Sequence, residues 1–191
     1  MKKIEMDQVL LGKLLIATPG LADTRFYKTV ILICEHSDQA TMGLILNKPL
    51  FNFKTNQLLK QMKIEANSLL KIDDTFYGGP VHLNQGFIVH SDEKKYSSSE
   101  CIKEEIIIST SDDILVDISK GKAPIDTKVF LGCAVWDKNQ LNNEIIQNSW
   151  IMTESKKNLI FYNNKEFSLW DKSLLDIGID PLKLINYSGN A

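Results

Sequence analysis

The residues best suited to chemistry are a thiol and an imidazole two positions apart, in the tripeptide Cys34-Glu35-His36. On a β-strand, alternation places Cys34 and His36 on one face and Glu35 on the other. Such a pair can form a nucleophile with its base, or half of a metal site. Along a strand the two side chains are about 6–7 Å apart, too far for a direct hydrogen bond. The alternative is that Cys34 ends an apolar strand as a small core residue.

The spacing of histidines and cysteines gives little support to a metal site. The chain contains three histidines, His36, His82 and His90, and three cysteines, with no C-x₂-C or H-x₃-H motif. A mixed site from Cys34, His36 and His90 is conceivable. The sequence nevertheless predicts no metal and no other cofactor.

Two short motifs, Asn47-Lys48-Pro49 and Gly78-Gly79-Pro80, each follow a predicted strand. Asn47 tolerates a left-handed backbone and Pro49 fixes its own φ, so tight turns account for both motifs. Alternatively, the double glycine exposes backbone N–H groups to an anion while Lys48 supplies positive charge. On that interpretation Asn47, Lys48, Gly78 and Gly79 are candidate ligand-binding residues.

A third candidate set is Trp136, Gln140 and Glu144, which are spaced four residues apart and share one face of a helical segment. This polar stripe could line a groove and contribute ligand-binding residues. It could equally form a partner surface with Trp136 as its anchor, or a solvated helix face.

The elements that position these residues are predicted from apolar periodicity and from turn and capping residues. Runs rich in Val, Ile and Leu predict strands over 13–18, 29–36, 41–48, 74–78, 86–91, 103–110, 128–136, 150–155 and 158–163. Four helices are predicted, over 55–64, 112–121, 137–148 and 165–178. The second follows an N-cap at Ser111 and ends at Gly121, and the third begins with a capping box formed by Asp137 and Gln140. Strand hairpins mixed with single helices predict an α+β fold with a mixed, largely antiparallel sheet.

Composition limits the class of protein. A chain of 191 residues, 43% hydrophobic and 24% charged, can bury one core, so we expect a single domain over residues 1–191. The formal net charge is −2 and Arg25 is the only arginine, which disfavours nucleic-acid binding. Acidic residues interrupt the N-terminal apolar stretch, and the longest apolar run, 129–136, is too short to span a membrane. With three cysteines, an odd number, a reducing cytoplasmic location is predicted.

Four segments in order carry a family resemblance. They are LLIATPGLADTRFYKTVILICEH (14–36), MGLILNKPL (42–50), FYGGPVHLNQGFIVHS (76–91) and LGCAVWDKNQLNNEIIQNSWI (131–151). Together they resemble the AlgH/YqgE family of small bacterial proteins, over about residues 9–182. The chain departs from the family pattern at Cys133 and Val135, where Tyr and Gly are common, and at Asn142 and Asn143, where the helix is usually acidic.

The resemblance implies a single α+β domain with a strongly curved mixed sheet flanked by helices. It implies no established enzymatic activity, and it supplies no catalytic residue. Some members carry a transcriptional-regulator label. The single arginine of this chain conflicts with that label, because it disfavours binding to nucleic acid.

Three functional hypotheses follow from the residues and the resemblance. The first is a non-catalytic binding or regulatory module that presents a groove between the NKP and GGP turns and the helix of the fourth segment to a protein or a small ligand. The second is a thiol-dependent enzyme or redox sensor that uses Cys34 with His36. The third, direct transcriptional regulation, has the least support.

Overall fold

The structure, a computed structural model, describes residues 10–137, 139–164 and 166–188. Contacts divide the chain into two compact units. The terminal unit comprises Met1–Asn47 and Ala134–Ala191, and the central unit comprises Lys48–Cys133. The expectation of a single domain over residues 1–191 stays a prediction.

Antiparallel strands form the framework of the terminal unit. They are β1 (Lys13–Ala17), β2 (Val30–His36), β3 (Ala40–Ile45) and β10 (Trp150–Glu154), in the order β10-β1-β2-β3. The last four residues of β9 (Thr127–Asp137) pair with β3. Consecutive residues of β1 and β2 are fully buried, Leu14–Ile16 and Val30–Ile33 among them. Both faces of these strands are therefore covered, which explains their unbroken apolar runs.

Four helices complete the terminal unit: α3 (Gln140–Ile146), α4 (Lys157–Ile160), α5 (Leu169–Asp176) and α6 (Pro181–Ser188). The helix α5 begins at an N-cap, Ser168, whose hydroxyl accepts a hydrogen bond from the Asp171 amide. The fully buried Trp170 of α5 donates its indole N–H to the Ala17 carbonyl at 2.7 Å. This bond attaches α5 to the end of β1.

Two predictions in this unit are wrong. The strand predicted over 158–163 does not form, and its first residues lie in the short helix α4. The buried residues Leu159 and Ile160 are adjacent in sequence, and a short apolar run of this kind is compatible with a helix as well as with a strand. The helix predicted over 137–148 begins only at Gln140. Asp137 is the last residue of β9, and Asn139 has a left-handed backbone with φ 73°.

In the central unit one parallel pair interrupts an otherwise antiparallel arrangement. The strands β4 (Pro49–Lys54), β5 (Asp74–Tyr77), β6 (Val81–His90), β7 (Glu100–Lys103) and β8 (Ile106–Ser109) lie in the order β4-β5-β9-β6-β8-β7. Only β5 and β9 run parallel. The predicted α+β class and mixed, largely antiparallel pairing are confirmed.

The sequence missed two strands of this unit. The predicted strand 103–110 is a hairpin of β7 and β8 that turns at Glu105, where φ is 62°. Pro49, expected in a connection, begins the largely exposed strand β4. Proline is tolerated there because the start of a strand does not need its missing N–H.

The core of the central unit lies between two helices, α1 (Thr55–Gln61) and α2 (Asp112–Ser119), and the strands β6 and β9. Its buried members are Leu58, Leu59, Ile88, Tyr96, Ile114, Leu115, Ile118 and Val129. The helix α2 starts after Ser111 as predicted, but the Ser111 hydroxyl donates to the Asp113 carboxylate instead of accepting from the helix. That bond, together with bonds from Ser97, lowers the pKa of Asp113 to about 2.

Candidate functional site

The carboxylate of Glu144 connects the helix α3 to the strands β9 and β10 within the terminal unit. Its Oε2 accepts the indole N–H of Trp136 at 2.9 Å and that of Trp150 at 2.7 Å. Its Oε1 accepts the Gln140 amide at 2.9 Å. The structure therefore brings together the three residues of the predicted stripe, although Trp136 lies on the strand β9 and not on a helical face with the other two. It also adds a second tryptophan, Trp150, to them.

The tryptophans belong to an aromatic cluster with Phe26. The ring centroids of Trp136 and Trp150 lie 5.9 Å apart, and those of Phe26 lie 6.4 and 5.7 Å from them. At these separations the rings contact one another, which leaves no space for a ligand between them. Trp136 is only 2% exposed, which does not favour a partner surface with this residue as its anchor. Burial of both indoles explains why their N–H groups need an acceptor such as Glu144.

Asn47 holds two backbone segments of the terminal unit together. Its Oδ1 accepts the Val30 amide at 2.9 Å, and its Nδ2 donates to the Lys28 carbonyl at 2.8 Å. The left-handed residue is Lys28, with φ 51°, and not Asn47 as the turn interpretation allowed. The Asn47 side chain thus fixes a backbone conformation that is unfavourable for lysine.

The double glycine of the central unit is buried against β9. Gly78 donates its amide to the Leu131 carbonyl at 2.8 Å, and the preceding Tyr77 amide donates to the Lys48 carbonyl at 2.8 Å. A Cβ on Gly132 would lie 2.5 Å from the Gly79 carbonyl oxygen, so only glycine permits this close approach. The structure brings the backbones of Lys48 and the GGP motif together, but the Gly78 amide is already used by Leu131. This arrangement supports the turn interpretation over an anion site.

Cys34 and His36 have different partners. The register with β3 shifts between Ile33 and Glu35, so a bulge at Cys34 breaks the alternation from which a shared face was predicted. The Cys34 thiol is 5% exposed and lies 3.4 Å from the Leu32 carbonyl oxygen. The Nδ1 of His36 lies 2.6 Å from the Thr41 hydroxyl. These contacts favour the interpretation of Cys34 as a core residue.

A hydrogen-bonded chain that the sequence analysis did not detect runs through the buried His90. The Nδ1 lies 2.8 Å from the Ser91 carbonyl oxygen, to which it must donate, so Nε2 accepts from the Ser109 hydroxyl at 2.9 Å. The Ser109 oxygen lies 2.8 Å from the Ser99 hydroxyl, which accepts the Tyr96 amide. Burial lowers the pKa of His90, so the ring is neutral and its tautomer is fixed. The serine–histidine contact is fully enclosed and has a structural role.

Lys128 is a second buried ionisable residue in the central unit. It is 6% exposed, and its Nζ lies 4.8 Å from the centroid of the Phe76 ring. Burial lowers its pKa to about 8. The apolar run that follows it in β9 gave no indication from sequence that the lysine itself would be enclosed.

An open groove of about 640 Å³ lies at the surface of the central unit. It is lined by Asn56, Lys60, Lys63, Ile64, Glu65, Ala66, Asn67 and Leu70, which belong to α1 and the loop after it. Ile64, Ala66 and Leu70 also pack against the core of this unit, so the groove has an apolar floor. None of these residues was singled out in the sequence.

Neither a metal centre nor a membrane span occurs within residues 10–137, 139–164 and 166–188. No three histidine, cysteine or acidic side chains in these ranges are close enough together to hold a metal ion. The helices described there are too short or too polar to cross a bilayer.

The fold and the residue contacts define an α+β protein with a mixed, largely antiparallel strand arrangement. The solution structure of AlgH from Pseudomonas aeruginosa is similar, with a TM-score of 0.77 and 31% identity over 93% of each chain. A crystal structure from Corynebacterium diphtheriae shares the fold at 19% identity, with a TM-score of 0.68 over 93% of this chain and 90% of that one.

Sequence comparison gives the family. The AlgH-like family model matches residues 14–182. A UPF0301 protein of Shewanella woodyi is 35% identical over 188 residues, which cover 95% of this chain and 98% of that protein. A UPF0301 protein of Xanthomonas oryzae pv. oryzae is 36% identical over 183 residues, which cover 95% and 96%. The chain belongs to the AlgH-like family, also called UPF0301 or AlgH/YqgE, and the resemblance noted in its sequence is confirmed.

Proposed function

We propose that this protein is a non-catalytic binding module of the cytoplasm and that the groove beside α1 is its ligand site. The observation that carries the proposal is the groove itself. Its volume of about 640 Å³ lies within the range of small-molecule sites, about 300–1,000 Å³. An apolar floor bordered by polar side chains is also the usual composition of such sites.

The contacts of the chemically reactive side chains support a binding role over a catalytic one. Cys34 is buried beside a backbone carbonyl, and the His36 ring is hydrogen-bonded to Thr41. His90 uses both ring nitrogens in buried hydrogen bonds. A nucleophile needs an adjacent base and access to a substrate, and these arrangements do not favour either. The free state of the three cysteines supports a reducing compartment.

The groove first predicted between the NKP and GGP turns and the helix of the fourth segment stays a prediction. The contacts of Asn47, Gly78 and Trp136 favour structural roles for these residues. The groove beside α1 offers unfilled space, and for that reason we place the ligand site there.

Regulation through direct DNA binding has less support. The one arginine, Arg25, forms a forked ion pair with Asp23 at 2.7–3.1 Å, and the chain has a net charge of −2. A DNA-binding surface normally presents clustered lysine and arginine to the phosphates.

A fragment screen on the full ¹⁵N-labelled chain, read by amide chemical shifts, tests the proposal. We expect at least one compound to shift amides of residues 56–70 in a saturable manner, while most of the spectrum stays unchanged. In the matched control, Ala66→Phe fills the groove and should abolish these shifts without changing the rest of the spectrum. Shifts that survive Ala66→Phe, or no response from residues 56–70, would contradict the proposal.

A further inference from the structure

We infer that the groove beside α1 binds small organic monoanions, such as carboxylates with an aliphatic tail; this inference rests on the proposed function. Two lysines, Lys60 and Lys63, and one glutamate, Glu65, are among the residues that line the groove. The lining therefore carries a net charge of about +1. Within the part of the chain that the structure describes, no ion pair engages any of these three side chains. An anionic ligand would supply the missing countercharge.

The floor of the groove determines what the anion must carry. Ile64, Ala66 and Leu70 are partly buried and continue into the core of the central unit. A bare inorganic anion would leave this floor in water, whereas an aliphatic tail would cover it. Each methylene of the tail that is fully buried should tighten binding by about fourfold. The chemistry that fits is therefore a negative head group attached to a short apolar chain.

The backbone at Lys63 gives a further reason to associate this side chain with binding. The helix α1 ends in a Schellman motif, in which the Ile64 amide donates to the Leu59 carbonyl at 2.8 Å and the Lys63 amide to the Lys60 carbonyl at 3.0 Å. Glycine is usual at the left-handed position of this motif, but here the residue is Lys63, with φ 57°. A lysine therefore occupies a position where glycine would be more stable, and this lysine is one of the residues that line the groove.

The test is a titration of the full chain with octanoate at low ionic strength, followed by the amide shifts of residues 56–70. The uncharged analogue octanamide and the cation octylamine have the same tail and serve as ligand controls. We expect octanoate to bind more tightly than octanamide, octylamine to bind most weakly, and the octanoate affinity to fall as salt is added.

Variants of the groove make the test specific. Removing one partner of an exposed ion pair should weaken binding modestly, so Lys60→Gln and Lys63→Asn should each weaken octanoate binding by about 1.4- to 5-fold. Glu65→Gln should strengthen it by a similar factor, whereas Lys63→Arg should leave it nearly unchanged. Lys63→Gly should weaken octanoate binding and yet raise the midpoint of urea unfolding. A lysine with only a structural role would not produce these opposite effects.

The outcomes separate this inference from the proposed function. If octanamide binds as tightly as octanoate, and the lysine variants change neither affinity, the groove remains a ligand site but the inference about anions is wrong. If no ligand with this tail, charged or uncharged, shifts the amides of residues 56–70 and the fragment screen also finds none, both are wrong. If octanoate binds, if Lys60→Gln and Lys63→Asn weaken this binding, and if Glu65→Gln strengthens it, the result supports both the proposed function and the inference about anions.

Discussion

Replacing the buried Lys128 with methionine should stabilise the protein at neutral pH. Methionine keeps most of the side-chain volume and removes the charge. The pKa of Lys128 falls from an ordinary 10.5 to about 8 in the folded state. At about 1.4 kcal/mol per pKa unit, enclosing the ammonium group costs about 3 kcal/mol of stability at pH 7. Loss of the contacts of the ammonium group, among them the attraction to the Phe76 ring at about 0.5–1 kcal/mol, offsets part of this cost, so we expect a net gain of about 1–2 kcal/mol.

The pH dependence of this gain identifies its cause. The folded pKa lies below the unfolded one, so the unfolded chain binds more protons between about pH 8 and 10.5. The stability of the wild-type protein should therefore rise with pH through that window, relative to a variant that lacks the ammonium group. The advantage of Lys128→Met should be largest at pH 7 and should mostly disappear by about pH 10.

Urea unfolding followed by far-UV circular dichroism at pH 7 and pH 10 measures both effects. Lys71→Met, at an exposed lysine of the same unit, is the control and should change stability little at either pH. The reasoning is refuted if Lys128→Met is less stable than the wild type at pH 7. It is also refuted if the difference between the two proteins is the same at both pH values.

Three other predictions concern contacts of the terminal unit and the thiols. Asn47→Ala should cost about 2–3 kcal/mol in urea unfolding, because it removes both backbone bonds that fix Lys28, whereas Asn47→Asp keeps one acceptor and should cost less. Glu144→Ala should cost about 3 kcal/mol, since two buried indole N–H groups lose their acceptor. Glu144→Gln should cost about 1 kcal/mol, because its amide oxygen can still accept, so equal costs for the two variants would contradict this reasoning. Ellman's reagent should titrate one thiol in the native protein, the exposed Cys101, and all three only in urea, so rapid native labelling of a Cys101→Ser variant would revive the hypothesis of a reactive Cys34.

Features that depend on neighbours in sequence were predictable here. The strands of residues 13–18, 29–36 and 41–48 were found because their apolar runs are long enough to indicate burial. The start of α2 after Ser111 was found because acidic residues follow a capping residue. Features that depend on distant residues were not predictable. Glu144 was expected to lie on a polar stripe, and nothing local indicates that its carboxylate accepts two indole N–H groups.

The shared strand face expected for Cys34 and His36 is affected by a distant feature as well. That expectation assumed strict alternation along β2, and alternation holds only while the register with the neighbouring strand is regular. The bulge between Ile33 and Glu35 is set by how β2 pairs with β3, which a pattern within one strand does not report. A motif whose two members must share a strand face is therefore weak support for chemistry until the pairing of that strand is known.

The end of α1 shows where local rules could have directed attention to the groove. A helix was predicted over residues 55–64, yet no glycine follows its last apolar residues, and glycine or asparagine is usual where a helix turns left-handed. The chain uses Lys63 at that position, with φ 57°. The five other non-glycine residues with positive φ have local explanations. Asn139 and Asn148 tolerate it, Glu105 lies in a hairpin turn, the backbone of Lys28 is held by Asn47, and His82 lies where the register between β6 and β9 shifts. Lys63 differs because its charged side chain borders open space, and departures from local preference are concentrated at functional sites. On this reasoning a charged residue in place of a capping glycine is itself a signal of a binding site, and the opposite effects expected of Lys63→Gly on stability and on affinity test that signal directly.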